Sequence, residues 1–216
     1  MQIPKQVLQQ FGGVGLDSVV GELRRHGWTR FNTAEFEMWE FLPFLGKLLN
    51  HTQVSVVEGS KSLVTSARGL SPHTDHHRAR YILWNCDVQQ ESGGETILVD
   101  GLAVFSSMSQ ADKTNLRNIR LMEHSMFDGD EASHPMVFDL GGDEALYYSY
   151  WLCDESISPI LRESFNRFHA AVKSVQPIFI RLETGESLLI DNNRMLHGRV
   201  PLEQNSPRIL QRYWFG

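Results

Sequence analysis

Two histidines and one aspartate are the side chains with the clearest chemical potential in this sequence. His73 and Asp75 are separated by a single residue, and His197 lies far downstream. In an extended segment, residues two apart face the same way, so an imidazole and a carboxylate can reach one ion. Two neutral imidazoles with one carboxylate suit Fe(II) and leave coordination positions open. The spacing therefore makes these three residues candidates for a metal centre. It leaves open a solvated loop in which Asp75 caps a turn, and a core histidine at His197 that is satisfied by the backbone.

The C-terminal segment carries two arginines in an apolar setting. Arg208 and Arg212 stand among the aliphatic and aromatic residues of Arg208–Phe215. Strand alternation places both arginines on one face, together with Leu210 and Trp214. Facing inward, a guanidinium binds a carboxylate through two parallel hydrogen bonds, whereas facing outward it is solvated. Periodicity leaves both alternatives open.

Helical spacing and end signals predict three helices that flank the elements carrying these residues. Apolar residues recur at helical spacing over residues 15–26. A second helix is predicted from near Asn32, with a stop or kink at Pro43. The third begins at Ser158-Pro159, an N-cap followed by proline at the first helical position, and extends to about residue 173.

Ten short β-rich runs are distributed along the chain after residue 51. Many short strands with few helices favour a sandwich or jelly roll over alternating β-α units. We therefore expect a mainly β protein with flanking helices, a single domain over residues 1–216, with a helical N-terminal part (1–50) and a jelly-roll core (51–216). The predicted strands are Gln53–Val57, Tyr81–Val88, Thr96–Val99, Ile119–His124, Met136–Leu140, Leu146–Tyr150, Pro177–Leu182, Ser187–Asp191, Arg194–His197 and Arg208–Phe215.

Composition argues against several classes of partner. The 216 residues are 41% hydrophobic and carry a formal charge of −6, which suits one domain that needs no disulfides and disfavours nucleic acid. No stretch approaches the roughly 18 apolar residues of a membrane span, and a secretory signal pattern is absent. Cys86 and Cys153 are too few for a disulfide framework. We expect a soluble, cytoplasmic protein with reduced thiols.

The stretch Phe127–Pro135 is the best candidate for a mobile loop. It contains the run Asp128, Gly129, Asp130 and Glu131. Such a charge run is most often a solvated surface, and we expect it to be exposed.

Three motifs occur in order between residues 71 and 215. They are Ser71-Pro-His73-Thr-Asp75; Gly93-Gly-Glu-Thr96-Ile-Leu-Val-Asp100-Gly101; and Asp191-Asn-Asn-Arg-Met-Leu-His197-Gly-Arg199 with Arg208-Ile-Leu-Gln-Arg212. Together they resemble the taurine dioxygenase-like branch of the Fe(II)/2-oxoglutarate-dependent oxygenases. The resemblance implies a double-stranded β-helix, the cupin-like form of the jelly roll.

The resemblance also implies a role for each matching residue. His73, Asp75 and His197 would hold Fe(II), while Thr96 and Arg208 would bind the distal carboxylate of 2-oxoglutarate. The other end of this co-substrate would chelate the iron and leave one position for O₂. Decarboxylation to succinate and CO₂ would be coupled to oxidation of a substrate C–H bond, most often hydroxylation.

The substrate implied by the resemblance is a small anionic metabolite. Arg212 lies four positions after the co-substrate arginine, where relatives hold the acidic group of the substrate. Because related halogenases have a small residue in place of the carboxylate, Asp75 favours oxidation over halogenation. The chain is shorter than the family usually is, which implies a short lid or one completed by an oligomeric partner, and the substrate would arrive free or tethered to a carrier protein.

His76 and His77, directly after the triad acid, are unusual for this family. Three roles are open for them: lining the substrate pocket, supporting the metal ligands, or facing solvent.

Two other classes of function match parts of the pattern. The string from Ser71 to His76 approximates the His-x-His-x-Asp-His signature of zinc hydrolases, but a serine stands where the first histidine is required. A jelly roll that binds metal and 2-oxoglutarate without turnover, as a sensor or scaffold, stays open as the alternative. A serine nucleophile lacks its Gly-x-Ser-x-Gly elbow.

Overall fold

Two antiparallel β-sheets form the centre of the molecule. The computed structural model describes residues 15–32 and 38–216. The large sheet contains, in spatial order, β1 (Trp28–Asn32), β11 (Glu186–Asp191), β4 (Tyr81–Val88), β13 (Ile209–Phe215) and β2 (Leu48–Ser55). The small sheet contains β10 (Ile178–Ile180), β5 (Thr96–Asp100), β12 (Met195–Arg199) and β3 (Leu70–His73).

In the described residues, two hairpins and five α-helices surround the sheets. The hairpins are β6 (Arg120–Met122) with β7 (Ser133–Pro135), and β8 (Val137–Leu140) with β9 (Asp143–Leu146). The α-helices are α1 (Gly15–His26), α2 (Leu42–Leu45), α3 (Gly101–Ser107), α4 (Gln110–Arg117) and α5 (Pro159–Ser174), with 3₁₀ turns at Met38–Phe41 and Tyr150–Leu152. Within the described ranges, no helix combines the length and apolar character needed to cross a membrane.

The central strand β4 is buried on both faces, which explains its nearly continuous apolar sequence. Ile82 and Trp84 point into the cluster between the sheets, where they meet Leu98 of the small sheet. Leu83 points the other way and packs in a cluster with Leu23 of α1. The large sheet is therefore fixed between the small sheet and the N-terminal helix.

A layer of helices covers the other side of the small sheet. Phe165 and Phe168 of α5 are fully buried in a cluster that includes Val99 of β5 and Leu196 of β12. Burying an aromatic side chain of this size contributes about 1.5–3 kcal/mol. The strands that carry both predicted metal-binding histidines are consequently held between two packed layers.

The predicted fold class is confirmed, as are helices 15–26 and 159–173 and the strand Tyr81–Val88. The prediction of a helix from near Asn32 is wrong at its start, because Asn32 ends β1, which pairs along its length with β11. The N-terminal part is therefore not wholly helical. Residues 33–37 lie outside the described residues, and Pro43 sits within the first two positions of α2, where its missing N–H breaks no helical hydrogen bond.

Helices α3 and α4 went unpredicted, although both have clear N-cap signals. The Asp100 side chain accepts a hydrogen bond from the Ala103 backbone N–H at the start of α3. The Ser109 side chain does the same for Asp112 at the start of α4. A serine or aspartate three residues before the N–H it accepts from is the usual cap arrangement, so the signal was present in the sequence.

Candidate metal centre

Strand pairing brings the two predicted histidine ligands together. In the antiparallel pair of β3 and β12, His73 lies directly opposite His197. Residues that face each other across such a pair project from the same side of the sheet, and their imidazole centroids here are 4.4 Å apart. Both residues are buried. The register of two neighbouring strands thus joins residues that are far apart in sequence.

Asp75 completes the group just after the end of β3. Its Oδ1 lies 3.6 Å from His73 Nε2 and 3.6 Å from His197 Nε2. The ligand atoms of the three residues all lie within 4.8 Å of one another. The Asp75 backbone N–H donates to Asn192 Oδ1 at 2.8 Å, so the turn after β11 fixes the chain at this point.

The second carboxylate oxygen of Asp75 is held by two donors from β13. Arg212 Nη1 donates to Asp75 Oδ2 at 3.1 Å, and Trp214 Nε1 donates to the same oxygen at 3.0 Å. Oδ1 is the oxygen that faces both imidazoles. Hydrogen bonds of this kind orient a ligand and tune its basicity, and they favour binding of a metal through one oxygen.

The orientation of His73 and the protonation of His197 and Asp75 suit a metal. His73 Nδ1 lies 3.0 Å from the Ser71 carbonyl, to which it donates, so its Nε2 lone pair is directed at Asp75 Oδ1. Burial and the neighbouring His73 lower the pKa of His197 to about 4. Burial tends to raise the pKa of Asp75, but Arg212 and His197 outweigh it and hold this pKa well below its usual range. At neutral pH His197 is therefore a neutral imidazole and Asp75 a carboxylate, the forms that ligate a divalent ion.

Arg208 lies at the far end of a small cavity that begins at the triad. It is 4% exposed, and its Nε has no hydrogen-bond partner among the described residues. Burial, and then the nearby Arg199, lower its pKa to about 10, so it remains a cation. A Cβ at Gly94 would lie 3.3 Å from Arg208 Cδ and 2.4 Å from Leu202, which explains a glycine with φ of +74° here.

All six predicted site residues line this one cavity. Thr96 lies on β5 opposite Arg199, and Arg212 faces inward from β13, as one of the two alternatives for that strand anticipated. The residues concerned are His73, Asp75, Thr96, His197, Arg208 and Arg212.

A second, larger cavity of about 390 Å³ opens on the other side of the triad. Its walls are mainly apolar and aromatic, with Met126 and Trp151 at exposed positions and Arg212 among the few charged groups. The Trp151 ring centroid lies 5.2 Å from that of His73. The arrangement provides room for a small organic molecule directly beside the candidate metal.

His76 and His77 do not face solvent; they belong to a buried polar network. His76 is 6% exposed, and its Nε2 lies 3.2 Å from Glu123 Oε1 and 3.2 Å from Asp130 Oδ2. His77 Nδ1 contacts the same Glu123 oxygen. Because the Arg78 backbone N–H donates to His76 Nδ1, the neutral His76 ring carries its proton on Nε2 and acts there as a donor to the carboxylates.

This network also corrects the expectation for the charge run in Phe127–Pro135. The Asp130 side chain is fully buried and accepts hydrogen bonds from the backbone N–H groups of Met126 and Phe127. Asp128, by contrast, is exposed. Composition could not separate these two aspartates, because the partner of Asp130 lies far away in sequence at Arg78.

Sequence reasoning missed the residues that support the ligands. Asn192 appeared only as part of a motif and Trp214 only as a strand residue, yet each bonds to Asp75. The strand face that holds Arg212 already included Trp214, and this was the available signal. Nothing local indicated Asn192, since its role depends on the packing of two loops.

The fold and the site together define a class of protein. A jelly roll that brings together two histidines and one aspartate beside a buried arginine presents the residue types of the facial triad found in non-heme Fe(II) oxygenases. Residues 33–214 match the model of the Taurine catabolism dioxygenase TauD, TfdA family. The chain belongs to this family.

Solved structures of iron oxygenases share the fold. An asparagine oxygenase in complex with Fe(II), 2S,3S-3-hydroxyasparagine and succinate aligns with a TM-score of 0.63 and 19% identity, covering 76% of this chain and 56% of that one. The non-heme iron oxygenase OrfP in complex with Fe and alpha-ketoglutaric acid aligns with a TM-score of 0.70 and 15% identity, covering 97% and 83%. At such identities the likeness shows the fold alone. No curated protein sequence matches the chain.

Replacing either triad histidine should abolish metal binding. We expect His197→Ala to lose Fe(II) or Co(II) binding in an anaerobic calorimetric titration, because two protein ligands remain of three. His51→Ala is the matched control, since His51 is exposed and bonds only to Gln211 among the contacts of the described chain. A His197→Ala protein that binds metal as wild type does would contradict the triad.

Removing the Trp214 indole N–H, which donates to Asp75, should lower the metal affinity without abolishing metal binding. Trp214→Phe keeps the aromatic packing and deletes one of two hydrogen bonds to Asp75 Oδ2. Loss of a partner of a metal ligand typically costs about 10–100-fold in affinity. Competition of the variant with a metal-sensitive dye measures this change; an unaltered affinity would mean that Trp214 only packs.

Proposed function

We propose that this protein is an Fe(II)- and 2-oxoglutarate-dependent dioxygenase that oxidises a C–H bond of a small anionic metabolite. One observation carries the proposal: a convergent triad of two histidines and one aspartate shares a cavity with a buried arginine whose Nε lacks a partner among the described residues. A metal that retains open positions and a carboxylate that reaches Arg208 are what such a cavity suits.

The residues present fit both groups. His73, Asp75 and His197 would hold Fe(II), and Arg208 with the Thr96 hydroxyl would bind the distal carboxylate of 2-oxoglutarate. When bound, iron and co-substrate supply the oxidising chemistry, in which 2-oxoglutarate is converted to succinate and CO₂ while one oxygen atom of O₂ enters the substrate. The asparagine oxygenase structure contains Fe(II) and succinate, and the OrfP structure contains Fe and alpha-ketoglutaric acid, which supports the same requirement here.

The protein side chains position and shield this chemistry. Arg212 and Trp214 keep Asp75 ionised and oriented, so the carboxylate stays directed at the two imidazoles. Trp84 and Leu210 line the small cavity with apolar surface, which limits water near the co-substrate. A dry wall also strengthens the attraction between a guanidinium and a carboxylate.

The substrate is proposed to occupy the larger cavity with its acidic group near Arg212. The Arg212 side chain lines both cavities, bonds to Asp75 through Nη1 and places its guanidinium carbon 4.9 Å from the Trp214 ring centroid. The asparagine oxygenase and OrfP structures contain hydroxyasparagine and hydroxy-L-Arg, free amino acids with a carboxylate. This supports a free small acid over a carrier-tethered one. The free, buried thiols of Cys86 and Cys153 are consistent with a cytoplasmic enzyme.

Loss of the Arg208 guanidinium should selectively weaken the binding of 2-oxoglutarate. Removing one partner of a buried, hydrogen-bonded charge pair costs about 2–5 kcal/mol, so Arg208→Met should raise the KM for 2-oxoglutarate by roughly 30-fold or more. The assay follows succinate formation with a panel of amino-acid and other small carboxylate substrates, and Arg30→Met, a change at an exposed arginine, is the control. An unchanged KM would remove Arg208 from the site.

The Arg212→Met variant distinguishes substrate binding by Arg212 from orientation of Asp75 by Arg212. If Arg212 binds the substrate, Arg212→Met should raise the substrate KM by about tenfold or more, since a charge-assisted hydrogen bond contributes about 1.5–3 kcal/mol, while the KM for 2-oxoglutarate changes little. Metal affinity is measured in parallel. A variant that loses metal affinity but keeps its substrate KM would restrict Arg212 to orienting Asp75.

A further inference from the structure

A segment between β2 and β3 forms the outer wall of both cavities. Val64 lines the small cavity and the large one, and Ser62 and Leu63 line the large one. Residues 62–68 contain no strand or helix. A bond from the Val57 N–H to the Thr65 carbonyl at 2.8 Å closes the base of the loop. The Leu202 N–H also donates to the Ala67 carbonyl at 2.8 Å, so backbone bonds attach the segment at two points, and any further attachment comes from side chains elsewhere in the chain.

Arg199 supplies that attachment. Its Nη1 donates to the Val64 carbonyl at 3.0 Å, and its Nη2 donates to the carbonyls of Ser66 at 2.6 Å and Arg68 at 2.8 Å, with Leu63 at 3.3 Å. One buried guanidinium thus gathers four backbone carbonyls of the same short segment.

The position of Arg199 links this wall to the metal. Arg199 lies two residues after His197 on β12, and in the pairing with β5 the register is regular, with His197 opposite Leu98 and Arg199 opposite Thr96. Residues two apart on a strand share a face, so the ligand and the wall support project into the same interior. Arg199 lines the cavity that Arg208 closes.

The charge of Arg199 indicates a role beyond packing against the loop. Arg199 is 8% exposed and Arg208 4%, and neither forms an ion pair with a carboxylate in the described part of the chain. Burying a cation without a counter-ion is costly, even when carbonyl oxygens offset part of the cost. A neutral amide could bond to the same carbonyls. Two guanidiniums at one end of a cavity match a ligand that carries a carboxylate there.

We propose that Arg199 is a positioning residue for co-substrate binding: its fork of donors fixes residues 62–68 as the cavity wall, and its charge adds to that of Arg208. The inference rests on the proposed function in naming 2-oxoglutarate as the ligand. The wall itself does not depend on that assignment.

Two substitutions separate the effect of the Arg199 hydrogen bonds from the effect of its charge. Arg199→Lys keeps the charge but cannot reach four carbonyls in the same geometry, whereas Arg199→Gln loses the charge and keeps one amide donor group. The segment contains two exposed trypsin sites, Lys61 and Arg68, so its order is read directly by the rate of cleavage after each, in protein without metal or co-substrate. The dissociation constant of 2-oxoglutarate is then measured anaerobically on the Fe(II)-loaded protein.

We expect both variants to be cleaved about tenfold faster at Lys61 and Arg68, which corresponds to ~1.4 kcal/mol. The 2-oxoglutarate dissociation constant should rise about tenfold in Arg199→Lys and further in Arg199→Gln, while Fe(II) affinity stays at the wild-type value. Retained Fe(II) binding also shows that the variants are folded. If neither variant folds, Val64→Ala replaces them. It removes side-chain atoms from the same wall with Arg199 in place, and it should raise the 2-oxoglutarate dissociation constant in the same assay.

Arg162→Gln is the matched control, because its guanidinium bonds to the Asp154 carbonyl at the start of α5 and not to the wall. Wild-type cleavage in both Arg199 variants overturns the proposal, and so does faster cleavage with unchanged 2-oxoglutarate affinity. If the wild-type protein never binds 2-oxoglutarate yet the variants are cleaved faster, the proposed function and the co-substrate role fail, and the wall assignment stands.

Discussion

The hydrogen-bonded carboxylate of Asp75 is the interaction on which the site depends. Its backbone is tied to Asn192, one oxygen is held by Arg212 and Trp214, and the other faces two imidazoles at equal distance. A buried carboxylate without partners would take up a proton and cease to be a good ligand. The turn after β11 and the inner face of β13 therefore have to be in place for the centre to exist.

Each of the two sheets contributes different residues to this centre. β3 and β12 of the small sheet deliver the histidines in register, and β13 of the large sheet delivers the donors that hold the aspartate. The apolar cluster between the sheets sets the distance across which Trp214 reaches Asp75. A protein with a net charge of −6 nevertheless concentrates buried cations at Arg199 and Arg208, so the interior can attract an anion that the surface does not.

Features that depend on short-range sequence patterns were the ones predicted from the sequence. Tyr81–Val88 was predicted with both its ends because a buried central strand is apolar on both faces. The convergence of His73, Asp75 and His197 was anticipated from the order of the motifs that contain them. The strand β3 escaped prediction, since it is four residues long and contains Pro72. Asp130 was assigned to a solvated run because only tertiary contacts with His76 and Arg78 bring it inside. Arg199 appeared in a motif without a role, since its partners are backbone carbonyls that no sequence pattern marks.

The most direct test of the central claim is an anaerobic titration of the purified apo-protein with Fe(II) and 2-oxoglutarate, monitored for the weak visible charge-transfer band of the iron chelate. We expect a saturable band in the wild-type protein that disappears in Asp75→Ala. A well-folded wild-type protein that takes up iron and 2-oxoglutarate without such a band, or an Asp75→Ala protein that keeps it, would contradict the assignment of the triad as the centre of an oxygenase.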